Sequence, residues 1–149
     1  MIWGHQDMAL TPEKRGLGPV IMGGKAMPWG KGVVAGGFVF LSGLEGRTDN
    51  DGARVVGIAA QTVIALTRGQ QYLTEAGSSF EHVVRITQYL ADAADLAGYH
   101  AARDAWMAQN APHLLADQSY GGVLVVQQFT APDRLIELEV TALAGNSAI

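Results

Sequence analysis

The stretch that decides the fold is R-L-I-E-L-E-V-T-A-L, residues Arg134 to Leu143. Its side chains alternate between apolar and mixed character, which predicts a β-strand with one face against an apolar layer. The apolar face consists of Ile136, Leu138, Val140 and Ala142. The opposite face carries Glu137 and Glu139, and two interpretations stay open for them. Both can lie on a solvated sheet face, or one of them can line a polar pocket.

The composition is typical of a globular protein with a substantial core. The chain has 149 residues, of which 48% are hydrophobic and 16% charged, so we expect one domain over residues 1–149. The net charge of −4 and the lack of a basic run argue against a nucleic-acid surface. The absence of cysteine excludes disulfides, thiolate nucleophiles and cysteine-bound zinc. No apolar run has membrane-spanning length and no signal-peptide pattern is seen, so we expect a cytoplasmic protein without membrane contact.

The first part of the chain is rich in glycine and proline, which favours short elements. We expect an N-terminal arm over residues 1–26, mobile up to residue 17, with an edge strand at Val20 to Met22. Pro28 pushes Met27 out of the helical region, so Met27 to Gly30 should be a turn or extended.

A hairpin is predicted next. Gly36-Gly37 separates the apolar runs Val33 to Ala35 and Phe38 to Leu41, and two glycines in this position are a strong two-residue turn signal. The second run is apolar on both faces, which indicates a strand covered on both sides.

Helical spacing follows from Ala53 to Ala76, with Gly77 as the predicted C-terminal cap. Ser78 and Glu81 have the spacing of a capping box that opens one helical turn. The remaining elements are predicted to be a strand, a helix capped by Asp92 or Asp95, a connection and a further strand. Their predicted ranges are Val83 to Leu90, Asp92 or Asp95 to about Gln109, Asn110 to Gln118, and Gly122 to Phe129.

The predicted order is β, β, α, β, α, β, β, which gives an α+β fold with a single sheet. Two helices cover only one face of such a sheet. Because Phe38 and Phe40 lie opposite Val39 and Leu41, both sheet faces need cover. The simplest cover for the second face is another copy of the chain.

Four segments together resemble the RidA/YjgF family of reactive-intermediate imine deaminases, over a core from Met27 to Leu143. They are V-F-L-S-G at residues 39–43, E-A-G-S-S-F-E-H-V-V-R-I-T-Q-Y-L at 75–90, D-L-A-G-Y-H at 95–100 and L-I-E-L-E-V at 135–140. The resemblance implies a chorismate mutase-like fold, with a mixed sheet of about six strands and two helices on one face. It also implies a homotrimer whose sheets form an inner barrel, with sites between neighbouring subunits.

The imine-deaminating members of the family hydrolyse enamines and imines to keto acids and ammonia without a metal or cofactor. By resemblance, Trp29 corresponds to an aromatic site residue, and Ser42-Gly43 to the end of a substrate-binding strand. His100 stands where the family has an asparagine on the second helix. Glu137 corresponds to the family's glutamate on the last strand.

The sequence departs from the family where an arginine in a Pro-Ala-Arg-Ser motif binds the substrate carboxylate. The chain reads L-A-D-Q-S-Y-G-G at residues 115–122, with Ser119 or Tyr120 near the arginine position. Neither offers the planar, bidentate guanidinium. We therefore expect a substrate without that carboxylate, and not the standard 2-aminoacrylate deaminase. Arg47 and Arg103 are the alternatives that we considered for the missing charge.

The predicted roles are Glu137 as general base, His100 as the group that handles the second proton, and Tyr120 as a hydrogen-bond donor to substrate. Ser42, Gly43, Ser119 and Trp29 complete the predicted substrate site. Each residue also has a structural interpretation. His100 can be a surface or core histidine, Tyr120 an interface aromatic, the serines backbone-binding groups, and Trp29 part of trimer packing.

The sequence thus predicts a small-molecule enzyme that uses acid–base chemistry on an imine, enamine or related unsaturated substrate. The reaction would be hydrolysis, deamination or isomerisation, with no cofactor and no metal. The alternative is a non-catalytic trimer that binds ligands or other proteins.

Overall fold

The computed structural model describes residues 13–126 and 128–145. Residues 1–12 of the predicted mobile arm lie outside them, while residues 14–16 are wrongly predicted as mobile, because they form a strand of the main sheet. The strands are β1 (Lys14–Gly16), β2 (Pro19–Met22), β3 (Lys25–Gly30), β4 (Gly32–Ala35), β5 (Phe38–Leu41), β6 (Leu44–Glu45), β7 (Val83–Leu90), β8 (Val123–Val125) and β9 (Ile136–Leu143). The helices are α1 (Ile58–Glu75), α2 (Leu96–Asn110) and α3 (Pro112–Asp117), and single 3-10 turns lie at Phe80–His82 and Ala93–Asp95.

Seven strands form one mixed sheet, in the order β1-β4-β5-β9-β7-β8, with β6 also paired to β9. Strands β7 and β8 are parallel, and the other pairs are antiparallel. Strands β2 and β3 form a separate two-stranded sheet. The predicted α+β class with a mixed sheet is confirmed, with one strand more than the predicted six in the main sheet and a third, short helix.

Strand β9 is the centre of the sheet, as its alternation predicts. The four residues of its apolar face are almost fully buried: Ile136, Leu138, Val140 and Ala142. Helix α1 packs on this face through Ala65, Leu66 and Leu73, and α2 packs in turn against α1. Burial of a valine, leucine or isoleucine side chain contributes about 1.5–3 kcal/mol, so the layer between β9 and α1 contributes strongly to stability.

The predicted hairpin forms as expected. Strands β4 and β5 pair with Val34 opposite Val39, and Gly36 and Gly37 have φ values of 58° and 80°. A two-residue turn with two positive φ values matches the twist of the flanking strands, and glycine adopts it without strain.

Three predicted elements are wrong in part. Helix α1 starts at Ile58 instead of Ala53, because Gly57 has φ 95° and ψ 148°, outside the helical region. The predicted connection at Asn110 to Gln118 contains α3, because Pro112 stands at the first position of a helix, where its missing N–H costs nothing. Strand β8 has only three residues, not the predicted eight from Gly122 to Phe129.

The capping box is also wrong. Ser79 is the N-cap of the 3-10 turn and makes no side-chain cap bond, while Ser78 Oγ donates to the carbonyl of Leu143 at 2.7 Å. The predicted side-chain cap of the second helix is wrong as well, because Asp95 is the N-cap of α2 and makes no side-chain cap bond. Asp92 caps the 3-10 turn before α2 instead, and its carboxylate accepts from the amide of Ala94 at 2.9 Å.

The sheet face opposite the helices stays partly open. Phe38 and Phe40 are 37% and 42% exposed, and Leu143 next to Phe38 is 46% exposed. Val39 and Leu41 on the other face of β5 are buried.

In the described ranges, no helix is both long and apolar enough to span a bilayer.

Candidate active site

A cavity of about 500 Å³ lies beside the start of β9, where β5 ends and β6 begins. Its residues come from four parts of the chain that are distant in sequence. They are Val20, Met22, Met27, Trp29, Ser42, Gly43, Glu45, Arg47, Thr48, Arg68, Thr130, Arg134 and Glu137. The volume is within the range of small-molecule sites. Four of the predicted site residues lie together in it: Trp29, Ser42, Gly43 and Glu137.

Glu137 is the acidic group of the cavity with a perturbed proton affinity. It lies on the sheet face away from the helices, and its side chain is 28% exposed. Burial raises the pKa of Glu137 above its ordinary value, against the opposing effect of the Arg134 charge; Glu139 and Glu45 raise it further. A carboxylate with a raised pKa is a better proton acceptor near neutral pH, which is what a general base needs.

Gly43 allows the Glu137 carboxylate to lie against the backbone. A Cβ atom added at Gly43 would lie only 2.7 Å from Glu137 Oε1. Only a residue without a side chain leaves that space free. Ser42 and Gly43 separate β5 from β6, so the gap between these two strands forms the floor beside the carboxylate.

Arg134 is the cationic neighbour of Glu137, and sequence reasoning did not give it a role. Its Nη1 lies 3.4 Å from Glu137 Oε1 and 3.3 Å from Thr130 Oγ1. Both distances are at the long end for hydrogen bonds, so the guanidinium is only loosely engaged within the chain. Its side chain is 17% exposed and lines the cavity.

A buried amide from α1 fixes the backbone on both sides of Arg134. Gln61 is 1% exposed. Its Nε2 donates to the carbonyl of Asp133 at 2.9 Å and to that of Val55 at 3.1 Å, and its Oε1 accepts from the amide of Leu135 at 3.0 Å. Gln61 is therefore a positioning residue for Arg134.

Arg68 and Arg47 also line the polar side of the cavity, which we call the polar wall. Arg68 is 3% exposed and donates to the carbonyls of Glu45 and Thr48, at 2.6 and 2.7 Å. It thereby holds the loop after β6 against α1. Arg47 Nη1 lies 3.4 Å from Asp133 Oδ1. Three arginines and two glutamates line the cavity, so its polar wall carries an excess of positive charge when the glutamates are ionised.

The other predicted site residues lie outside this cavity. His100 is half-buried on α2, with its ring 5.7 Å from that of Tyr99. Ser119 is exposed and donates to the carboxylate of Asp117. Tyr120 is 3% exposed, and its hydroxyl lies 3.7 Å from Met107 Sδ. Burial raises the pKa of Tyr120.

Arg103, one of the two arginines considered for the missing charge, is outside the cavity. It donates to Gln88 Oε1 at 3.0 Å, and its guanidinium carbon lies 5.5 Å from the Tyr99 ring centre and 5.7 Å from that of Tyr120. Gln88 donates in turn to the carbonyl of Gly122 at 3.1 Å. This cluster holds the segment before β8. Arg47, the other candidate, does line the cavity.

The arrangement provides a base, a donor cation and an apolar wall. Among the described residues, no three histidine, aspartate or glutamate side chains lie close enough together to hold a metal ion.

Arg134 and Arg68 were not predicted as site residues from the sequence, because their position in the cavity depends on contacts across the fold. The one local signal was Arg68 within the buried stripe of α1, beside Ala65, Leu66 and Gly69.

Three solved structures are similar in fold to this chain. NMB1025 of Neisseria meningitidis, of the YjgF protein family, is 25% identical with a TM-score of 0.64, and the match covers 90% of this chain and 97% of that one. The Escherichia coli YjgF gene product is 22% identical with a TM-score of 0.67, covering 85% and 92%. Escherichia coli TdcF with bound serine is 19% identical with a TM-score of 0.68, covering 85% and 94%.

No curated protein matches the chain in sequence. The family model described as Endoribonuclease L-PSP matches residues 24–144, which is most of the chain and nearly all of the predicted core from Met27 to Leu143. The chain therefore belongs to this family, the YjgF/RidA family.

Proposed function

We propose that the protein is a cofactor-free enzyme that hydrolyses an imine, or an enamine through its imine form, in the cavity at the start of β9. The observation that carries this proposal is the half-buried Glu137 carboxylate, with a raised pKa and a guanidinium 3.4 Å away. Membership of a family of small-molecule-processing proteins supports it. So does the bound serine in TdcF, a protein of similar fold.

Glu137 takes a proton from a water molecule as the water oxygen bonds to the imine carbon. The electron pair of the C=N bond moves to nitrogen, which takes up the proton that Glu137 received from the water. Glu137 then accepts the hydroxyl proton of the carbinolamine and passes it to nitrogen, so that the C–N bond breaks, ammonia leaves and the carbonyl forms. Arg134 donates hydrogen bonds to the polar end of the substrate. It takes the role that the sequence analysis predicted for Tyr120. A guanidinium stabilises an oxyanion or carboxylate better than a phenol does.

The proposal includes a homotrimer. Phe38, Phe40 and Leu143 leave an apolar area on one sheet face that a monomer would have to expose to water. A neighbouring copy would cover it. His100 contributes the second proton transfer only if a neighbouring subunit brings it to the cavity.

The test is Glu137→Gln, which preserves the shape and removes the base. We expect turnover of enzymatically generated imines to fall by about a hundredfold to ten-thousandfold. Glu139→Gln is the matched control, because Glu139 lies on the same face of β9 but is exposed and outside the cavity. Loss of its charge lowers the pKa of Glu137 but leaves the base in place. If Glu137→Gln turns over substrate as fast as Glu139→Gln, the assignment of the base is refuted.

A second candidate is a non-catalytic trimer that binds small molecules or other proteins. The observation in its favour is that His100, Ser119 and Tyr120 lie outside the cavity of their own subunit. A binder would be stabilised by ligands in thermal denaturation and would give no turnover with any imine. Ammonia release that depends on Glu137 would exclude it.

A further inference from the structure

The cavity has two walls of different chemistry. The polar wall contains Glu137, Arg134 and the residues around them, while the other wall comes from the β2–β3 hairpin. We call this second set the hairpin wall, and it consists of Val20, Met22, Met27 and Trp29. A ligand that fills the cavity must contact both walls.

The hairpin wall is built by the two-residue period of its strands. Val20 and Met22 are two apart on β2, and Met27 and Trp29 are two apart on β3, so each pair lies on one face. Ile21 on the opposite face of β2 is 45% exposed. The hairpin thus directs four large apolar side chains towards the cavity.

The hairpin is a small sheet of its own beside the main sheet. In the described part of the chain, its two strands pair only with each other. The amide of Gly23 at its turn donates to the carbonyl of Asn50 at 3.0 Å, which connects it to the loop after β6. The hairpin therefore lines the cavity although it is not part of the main sheet.

Three of the four side chains of the hairpin wall are more open to water than core residues, whereas Val20 is buried. Trp29 is 51% exposed, and Met22 and Met27 are only partly buried. Indole rings stack on flat groups, and methionine adapts its shape to different partners. A three-carbon substrate held at Glu137 would leave this surface in water, because the cavity measures about 500 Å³.

We propose that the hairpin wall determines specificity and selects ligands whose polar end lies at Glu137 and Arg134 and whose apolar body is branched or aromatic. This inference rests on the proposed function in one respect only, the choice of this cavity as the substrate site. Burial of a leucine- or phenylalanine-sized group on the hairpin wall is worth about tenfold to a hundredfold in affinity.

The test is a calorimetric binding series with stable carbonyl compounds, which stand in for the imines and need no turnover. The acid series is pyruvate, 4-methyl-2-oxopentanoate and phenylpyruvate. The neutral series is acetone and benzyl methyl ketone. Within each series the polar end is constant and only the apolar body grows. We expect affinity to rise by about tenfold or more from the smallest to the largest member of at least one series.

Trp29→Ala and Met27→Ala should flatten this gradient while leaving the smallest ligand nearly unaffected. Val56→Ala is the matched control, because Val56 is 79% exposed and does not line the cavity. Melting temperature and light scattering verify that each variant is folded and assembled. A flat series, no binding by any member, or a gradient that Trp29→Ala and Met27→Ala leave intact would overturn the inference.

The two proposals can fail separately. A graded series without turnover of any imine would reject the proposed chemistry and support the hairpin wall. Glu137-dependent turnover together with a flat series would support the proposed chemistry and reject the role of the hairpin wall.

Discussion

The charge of Arg134 should set the proton affinity of Glu137, and this can be measured without a substrate. The two side chains are 3.4 Å apart, and they are 17% and 28% exposed. A pair of unit charges at about 4 Å interacts by about 1 kcal/mol in water and about 4 kcal/mol at an effective dielectric constant near 20. Since both groups reach solvent, the lower value is the better guide.

The positive charge of Arg134 stabilises the ionised form of the Glu137 carboxylate, and Arg134→Gln removes that charge. The protonated form is then favoured, and the midpoint of Glu137 rises further above the ordinary value of 4.5. An interaction of about 1–2 kcal/mol corresponds to a rise of about one pH unit. The acid limb of any Glu137-dependent activity should move upwards by the same amount.

The assay is a nuclear magnetic resonance titration of isotope-labelled glutamate carboxyl carbons, with the Glu137 signal assigned by its absence in Glu137→Gln. Arg134→Lys keeps the charge and should keep the midpoint near that of the wild type. Arg47→Gln is a second control, because Arg47 contacts Asp133 and not Glu137. An unchanged or lowered midpoint in Arg134→Gln would refute the electrostatic coupling on which the proposed site depends.

Further outcomes are expected at four positions. Gly43→Ala should fold normally but displace the Glu137 carboxylate, which the added methyl meets at 2.7 Å, and lower turnover by about a hundredfold in a rate assay. Gln61→Leu leaves three backbone groups without their hydrogen-bond partner, so it should lower the free energy of unfolding by about 1–3 kcal/mol in urea denaturation. Gln71→Leu, on the exposed face of α1, is the control and should change the free energy of unfolding by less than about 0.5 kcal/mol. Glu137→Gln should be no more stable than the wild type below pH 4.5, and its advantage in unfolding free energy should grow as pH rises through the raised pKa of Glu137, because ionisation is disfavoured in the folded state. Phe40→Asp should dissociate the proposed trimer, as light scattering would detect.

The fold could be predicted where a local pattern is sufficient. The alternation of β9, the two-glycine turn at Gly36-Gly37 and the β-branched run at Val83 to Leu90 each specify their element through neighbours in sequence. Helix α3 was not predicted, because Pro112 can break a helix or begin one, and only the surrounding structure decides.

The candidate site could be predicted only in part. Glu137, Ser42, Gly43 and Trp29 were expected from family resemblance and lie in one cavity. Arg134 stands three residues before Glu137, yet the sequence does not reveal that its side chain turns towards the carboxylate. That depends on the loop before β9 and on packing against α1, both of which are properties of the assembled fold.

The Gln61 contacts connect the formation of the site to the order of folding. Gln61 bonds to backbone groups 72 and 74 residues further along the chain. Contacts over such separations form late, since the cost of loop closure must be met first. During synthesis from the N-terminus, α1 is complete long before Arg134 leaves the ribosome. The loop that carries Arg134 is thus fixed only when the last strand has joined the sheet, and a partly folded chain should have no binding activity.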